Sequence, residues 1–264
     1  MATVLIPLPS TDFDPTETAV PWQTLAARGH RVLFATPDGR PAQADPRMLD
    51  GNRLGPLKPI LRADANARRA HAAMVESAAF RQPIAWADIA ALDYDGLLLP
   101  GGHAPGMRPY LESPLLQAAV ADSFARGRPV GAVCHGVLVV SRARGADGRS
   151  VLYGRRTTGL LAQQELAAWW LTRAWLGDYY RTYPQTVQDE VTAVLARPED
   201  FVSGPTALRR DSPERLELGF VVRDGNYVSA RWPGMCIDWR RSSRGCWRVE
   251  PGGFSASPSG RGVG

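Results

Sequence analysis

The sequence predicts an α/β protein, an open parallel sheet with helices on both faces, three layers in all. Three observations carry that expectation. Short apolar runs alternate with segments of helical pattern along the chain. Two of the runs, "GLLLP" (96–100) and "VGAV" (130–133), are apolar without alternation, as strands covered on both faces are. Glycine, proline and aspartate punctuate the joins. The 264 residues, 44% hydrophobic and 22% charged, suffice to bury one such core.

The elements follow in order. "TVLIPLP" (3–9) reads as a strand ended by prolines, with a helical stretch after it around Trp22–Arg28. "HRVLFATPDG" (30–39) is a second strand with a turn signal at Asp38–Gly39. Residues 40–62 are rich in Pro and Gly and read as a surface loop. "ADANARRAHAAMVESAAF" (63–80) reads as a helix, and "YDGLLLPGG" (94–102) as a third strand. "SPLLQAAVADSFARG" (113–127) is a helix with Ser113 as N-cap and Gly127 as terminator. "RPVGAV" (128–133) is a fourth strand, and "SVLYGRRTT" (150–158) reads as another. "FVVRDGNYVSARWP" (220–233) reads as a hairpin turning at Asp224–Gly225–Asn226. The aromatic cluster "AAWWLTRAWLGDYYRTY" (167–183) has helical spacing, which favours core or dimer contact over a stacking platform.

Composition excludes several functions. The formal charge is +5, but residues 235–264 supply +3 of it and the remaining arginines are scattered among acids, so no nucleic acid is expected as partner. No apolar run approaches the roughly 20 residues of a membrane helix. The first seventeen residues lack the basic and long apolar regions of a signal peptide. The expected setting is cytoplasmic, with no membrane partner. Three cysteines, Cys134, Cys236 and Cys246, give neither a disulfide framework nor paired zinc spacing, so no metal is expected.

The chemistry gathers at strand ends, where open α/β sheets bind ligands. Glu17 follows the first strand, Gly101, Gly102 and His103 the third, and Cys134 and His135 the fourth. A short strand, a nucleophile and then a helix make a nucleophile elbow, in which a sharp turn lifts the side chain into the cleft. A helix beginning just after Cys134 would favour its thiolate. Backbone N–H groups near Gly101, Gly102 and His135 could receive an oxyanion. Glu17 also has a structural reading, since Asp14-Pro15-Thr16-Glu17 fits a capping box, although Pro21 would interrupt a helix begun at Asp14. His135 is either a general acid/base or a shaper of the turn, and His103 either touches substrate or lies on the surface.

Five segments, "DFDPTETAVPW" (12–22), "FATPDG" (34–39), "LLLPGGHAPG" (97–106), "VGAVCHG" (130–136) and "RDGNYVSARWPG" (223–234), together resemble the ThiJ/PfpI family. The nearest branch is that of the heat-inducible chaperone and glyoxalase III proteins, and the resemblance covers about residues 3–234. It implies the flavodoxin-like fold of class I glutamine amidotransferases, a reactive cysteine at Cys134 and a tuning acid at Glu17. It further implies a glutathione-independent glyoxalase or deglycase acting on small 2-oxoaldehydes, without cofactor, as a homodimer. Glutamine hydrolysis is not expected, because no histidine follows His135. A Cys–His amidase or peptidase would pair His135 with an acid some 30 residues on, where Glu165 is the nearest. The rival from another class is a non-catalytic chaperone or oxidation sensor with a low-pKa Cys134.

The last segment, 235–264, has no usable periodicity. One extra base before Met235, with GC-rich codons, gives DVHRLAAELAGLLEG, an amphipathic helical pattern. Thirty arginines against the single Lys58 fit a GC-rich gene. The sequence therefore divides into a domain over 1–234 and an aberrant, disordered tail, read as a frameshift product replacing the final helix.

Overall fold

The computed structural model describes residues 1–205 and 220–231. The expected tail lies outside those residues. Seven strands form one sheet: β1 Thr3–Pro7, β2 Arg31–Thr36, β3 Ile84–Ala85, β4 Gly96–Leu99, β5 Val130–Val133, β6 Val221–Asp224 and β7 Tyr227–Ala230. Their order is β3-β2-β1-β4-β5-β7-β6, and every neighbouring pair is parallel except β6–β7. Without the two edge strands, the two-residue β3, which the sequence reading missed, and the antiparallel β6, the order β2-β1-β4-β5-β7 is the flavodoxin-like one. Every residue of β4 and β5 is buried, and since neighbouring side chains point to opposite faces, both faces are covered. The α/β, helix-flanked open sheet is the fold.

Helices connect the strands. The first, α1, runs Pro15–Ala27 and starts seven residues before the stretch expected. Asp14 accepts the amides of Thr16 and Glu17 at 2.7 and 3.0 Å, and Pro15 occupies the first turn, where its missing N–H costs nothing. Pro21 lies inside the helix without ending it; it forfeits only the bond it would have given the Glu17 carbonyl.

Residues 40–62, expected as a surface loop, instead carry the short helices α2 Pro46–Asp50 and α3 Lys58–Leu61. The segment is tied inward: Asp45 donates its amide to the Phe13 carbonyl at 3.0 Å, and Met48 and Leu54 join Ala104, Tyr179 and Tyr180 in a small second core. The helix expected over 63–80 breaks at Ser77, whose hydroxyl bonds the Met74 carbonyl, giving α4 Ala65–Glu76 and α5 Ala78–Arg81. After β4 come α6 Arg108–Glu112 and α7 Pro114–Ala125, the latter capped by Ser113 and followed by Gly127 at φ 67°. α8 Gly136–Arg142 follows β5 directly.

"SVLYGRRTT" is not a strand. Tyr153 and Arg155 donate back three residues, curling the segment, and Gly154 takes φ 77°. Thr157 and Thr158 then meet the sheet through side chains: Thr157 Oγ1 lies 3.0 Å from the Tyr227 hydroxyl, and the Thr158 amide donates to Ser229 Oγ at 2.9 Å.

α9 Ala162–Leu176 and α10 Val187–Thr192 complete the helices among the described residues. Of the two expectations for the aromatic cluster, core or dimer contact, α9 overturns the first. Its buried residues are Glu165 and Thr172, while Trp170 and Leu171 are each 62% exposed. The hairpin forms as expected, with Gly225 at φ 58° in its turn; Asn226 joins it to β5 by accepting the Val130 amide at 2.9 Å.

Candidate active site

The chain fills β1, β2 and β3 on one side and β4, β5 and β7 on the other, so the sheet's switch point lies between β1 and β4. Asp14 and Glu17 follow β1, Gly101 follows β4, and Cys134 follows β5. The structure brings these together at the carboxyl edge of the sheet.

Cys134 has φ 52°, a left-handed conformation that a side-chain-bearing residue seldom takes. Its amide donates to the Ala230 carbonyl of β7 at 3.0 Å, which pins the turn. Gly136, two residues on, is dictated by packing: a Cβ there would sit 2.2 Å from the Leu99 carbonyl oxygen. The helix after the cysteine thus starts hard against the end of β4. Gly101 is fixed likewise, since a Cβ would approach Glu17 Oε2 to 2.7 Å and the His135 amide to 2.8 Å.

Glu17 is fully buried. It sits in the first turn of α1, as the capping-box reading required, but its carboxylate does not reach back to the Asp14 amide, which donates to the Gly101 carbonyl. Instead Oε2 accepts the Gly101 amide at 2.6 Å, and the carboxyl also meets Cys134. Burial, and next the charge of Asp14, hold Glu17 well above the usual carboxylate range, the direction that favours its protonated form.

Burial likewise pushes the Cys134 thiol up, with the neighbouring carboxyls of Glu17 and Asp14 adding to it; the His135 backbone N–H opposes them. The favour that a helix beginning just after Cys134 gives its thiolate is therefore opposed by the sulfur's burial. Desolvation of a wholly buried sulfur outweighs the N-terminus of a seven-residue helix.

His135 joins a chain of hydrogen bonds whose direction is fixed by counting protons. Thr182 has one hydroxyl hydrogen and gives it to the His103 carbonyl, which can only accept, at 2.8 Å. Thr182 Oγ1 must therefore accept from His135 Nε2, 3.1 Å away. Burial first, then His103 and Arg142, lowers the His135 pKa well below its ordinary value, so the ring is neutral. Its one proton is on Nε2, and Nδ1 presents a lone pair to Cys134 Sγ at 3.5 Å. Thr182 was not singled out by the sequence reading. It has no motif, and it enters the site from the far end of the aromatic segment.

The remaining candidates divide. His103 is not a surface residue: it is 9% exposed, burial lowers its pKa to about 4, and its ring meets His135 edge-on at 4.9 Å and Tyr180 at 5.1 Å. Glu165 is not the partner of His135. Its Oε2 accepts the Val187 amide at 3.0 Å, and Thr182 occupies the position by the imidazole that a third acid would need. Nor are both glycine amides open to an oxyanion. That of Gly101 is taken by Glu17, whereas the amide of Gly102 has no acceptor among the described residues.

Comparison with known proteins follows the same lines. A family model described as ThiJ/PfpI family-like matches residues 8–205. An uncharacterized protein of Schizosaccharomyces pombe is 30% identical over 146 residues, 52% of this chain and 53% of that protein. A deglycase of Pyrococcus abyssi is 28% identical over 158 residues, 60% of this chain and 65% of the deglycase. The chain thus spans between half and two-thirds of the length of these relatives. Among solved structures, Rapid Encystment Protein 24 kDa of Francisella tularensis superposes with a TM-score of 0.64 at 17% identity, covering 92% of this chain and 97% of that one. Glyoxalase III of Candida albicans gives 0.60 at 17% identity, covering 94% and 98%. At such identities the likeness is one of fold.

Proposed function

This chain belongs to the ThiJ/PfpI family, and from that premise we propose that it is a cysteine-dependent enzyme converting 2-oxoaldehydes to 2-hydroxy acids without glutathione. The observation that carries the proposal is the directed hydrogen-bond chain, which leaves the bare Nδ1 of His135 against the Cys134 thiol, with a protonated Glu17 on its other side.

The steps balance without any cofactor. Cys134 passes its proton to His135 Nδ1, and the sulfur adds to the aldehyde carbon. His135 returns that proton to the oxygen, giving a hemithioacetal. The Gly102 amide is the donor available to the oxyanion on the way. Glu17 gives its proton to the neighbouring ketone oxygen and, as carboxylate, removes the hydrogen from the sulfur-bearing carbon, forming an enediol. Glu17 delivers that hydrogen to the adjacent carbon and takes back the hydroxyl proton of the sulfur-bearing carbon as the enediol collapses to a thioester. Water then releases the 2-hydroxy acid and restores the thiol. The relatives named deglycase and glyoxalase III favour this chemistry over others open to a cysteine.

The oxidation-sensor reading calls for an acidic thiol, and burial raises the pKa of Cys134. The amidase reading calls for an acid on His135, where Thr182 is found instead. We expect purified protein to form lactate from methylglyoxal in the absence of glutathione, and Cys134→Ala to abolish it. Lactate formation by the Ala variant would exclude the mechanism.

A further inference from the structure

A cavity of about 430 Å³ opens beside the site, with His103 and Thr182 in its wall. One imidazole separates that wall from the reactive sulfur, since His135 bonds Thr182 on one edge and faces Cys134 on the other. Three arginines, Arg47, Arg108 and Arg181, also line the cavity. None of them forms an ion pair within 4 Å with a carboxylate among the described residues, in a protein whose other arginines commonly do.

Their guanidinium planes are held in place. Arg47 stacks on Tyr179 at 4.6 Å, Arg108 on Tyr183 at 5.2 Å, and Arg181 lies 6.0 Å from the Trp169 ring. Arg108 donates Nε and Nη2 to the Thr182 carbonyl at 3.0 and 2.6 Å, so the cavity's charge is bonded to the residue that orients His135. Arg181 donates to the Pro184 carbonyl through Nη2 alone. Arg47 Nε and Arg181 Nη1 are buried and have no hydrogen-bond partner among the described residues. Buried donors of charged groups are costly to leave unmade, and stacking fixes a guanidinium's faces while leaving its edges to bind. One carboxylate, Asp178, shares the wall, and it already accepts from Trp169 Nε1 at 2.9 Å.

We propose that this cavity seats an anionic group of the substrate, a carboxylate or phosphate monoester carried on the carbon chain beyond the reacting carbonyl pair. The inference rests on the aldehyde reading for its chemistry, but the binding site stands on the arginines alone. Arg47 and Arg181 bring guanidinium charge that no carboxylate pairs within 4 Å among the described residues, and Arg108 adds charge while holding Thr182. Neutral methylglyoxal would then be a minimal substrate lacking the group the cavity recognises.

The test uses full-length Cys134→Ser protein, in which no turnover intervenes, titrated calorimetrically with inorganic phosphate and separately with acetate at constant ionic strength. We expect saturable one-to-one binding of at least one anion, weakened at least tenfold in Arg47→Gln and in Arg181→Gln. Arg181→Lys, which keeps the charge and loses the fork, should fall between. Phosphate alone binding identifies a phosphate monoester, and acetate alone a carboxylate. Melting curves identify any variant that fails to fold, leaving the other to decide. Binding of neither anion, or equal binding by folded variants and parent, overturns the proposal. A protein that binds the anion yet makes no lactate from methylglyoxal or from an anionic 2-oxoaldehyde would instead overturn the glyoxalase reading.

Discussion

A neutral imidazole has one proton, and at His135 its position decides whether Cys134 can be deprotonated. Thr182 makes that choice without touching sulfur or substrate carbon, which makes it a positioning residue. Thr182→Val removes the acceptor for His135 Nε2, leaving a buried donor unmade at a cost of about 1–3 kcal/mol of stability. We expect kcat for methylglyoxal to fall at least tenfold with KM little changed, and Thr182→Ser to restore it; an unimpaired Val variant would remove Thr182 from the mechanism. Cys134, Glu17 and His135 were legible in the sequence because each follows a strand within a recognisable segment. Thr182 was not, because its role depends on a contact 47 residues from His135 in the chain. The burial that opposes the thiolate at Cys134 was not legible either, because helix ends can be read from sequence but burial only from structure.

At the scale of elements, the sharpest constraint is the start of α8 against β4. Gly136→Ala would set a methyl 2.2 Å from a backbone oxygen, which cannot swing aside as a side chain can. We expect a loss of about 3 kcal/mol, measured by urea unfolding, together with loss of activity; a variant as stable as the parent would show that β4 and α8 can separate cheaply. Strands β1, β2, β4 and β5 and the hairpin were legible because their apolar runs are bounded by turn residues. Two of the departures share a cause. Over 150–158 and in α9 the pattern of residue types promised backbone pairing and a core or dimer contact, whereas polar side chains turned inward. Thr157 and Thr158 bond β7, and Glu165 bonds the start of α10, leaving tryptophans outside.

For the whole molecule, that inward Glu165 makes stability depend on pH. Burial raises its pKa from 4.5 to about 7, so between those values the folded protein keeps a proton that the unfolded chain has lost. This contribution is complete below 4.5 and is lost as the pH rises through about 7. Glu165→Gln keeps the carbonyl that accepts the Val187 amide but cannot ionise. Its melting temperature should therefore gain on the parent's steadily as the pH is raised across that window. A constant difference would mean that Glu165 titrates normally. No helix among the described residues is long and apolar enough to cross a membrane.

The amide of Cys134 is held by Ala230, ninety-six residues later in the order of synthesis. A ribosome that has delivered β5 has therefore delivered a cysteine but not yet an elbow. Until Tyr227–Ala230 emerges and pairs with β5, that strand has an open edge and nothing pins the turn at φ 52°. The turn at Cys134 is thus a late product of translation, and a nascent chain carries its thiol on an unpinned bend. A change of reading frame at 235 would fall just beyond this last fastening and spare the contact that pins the cysteine.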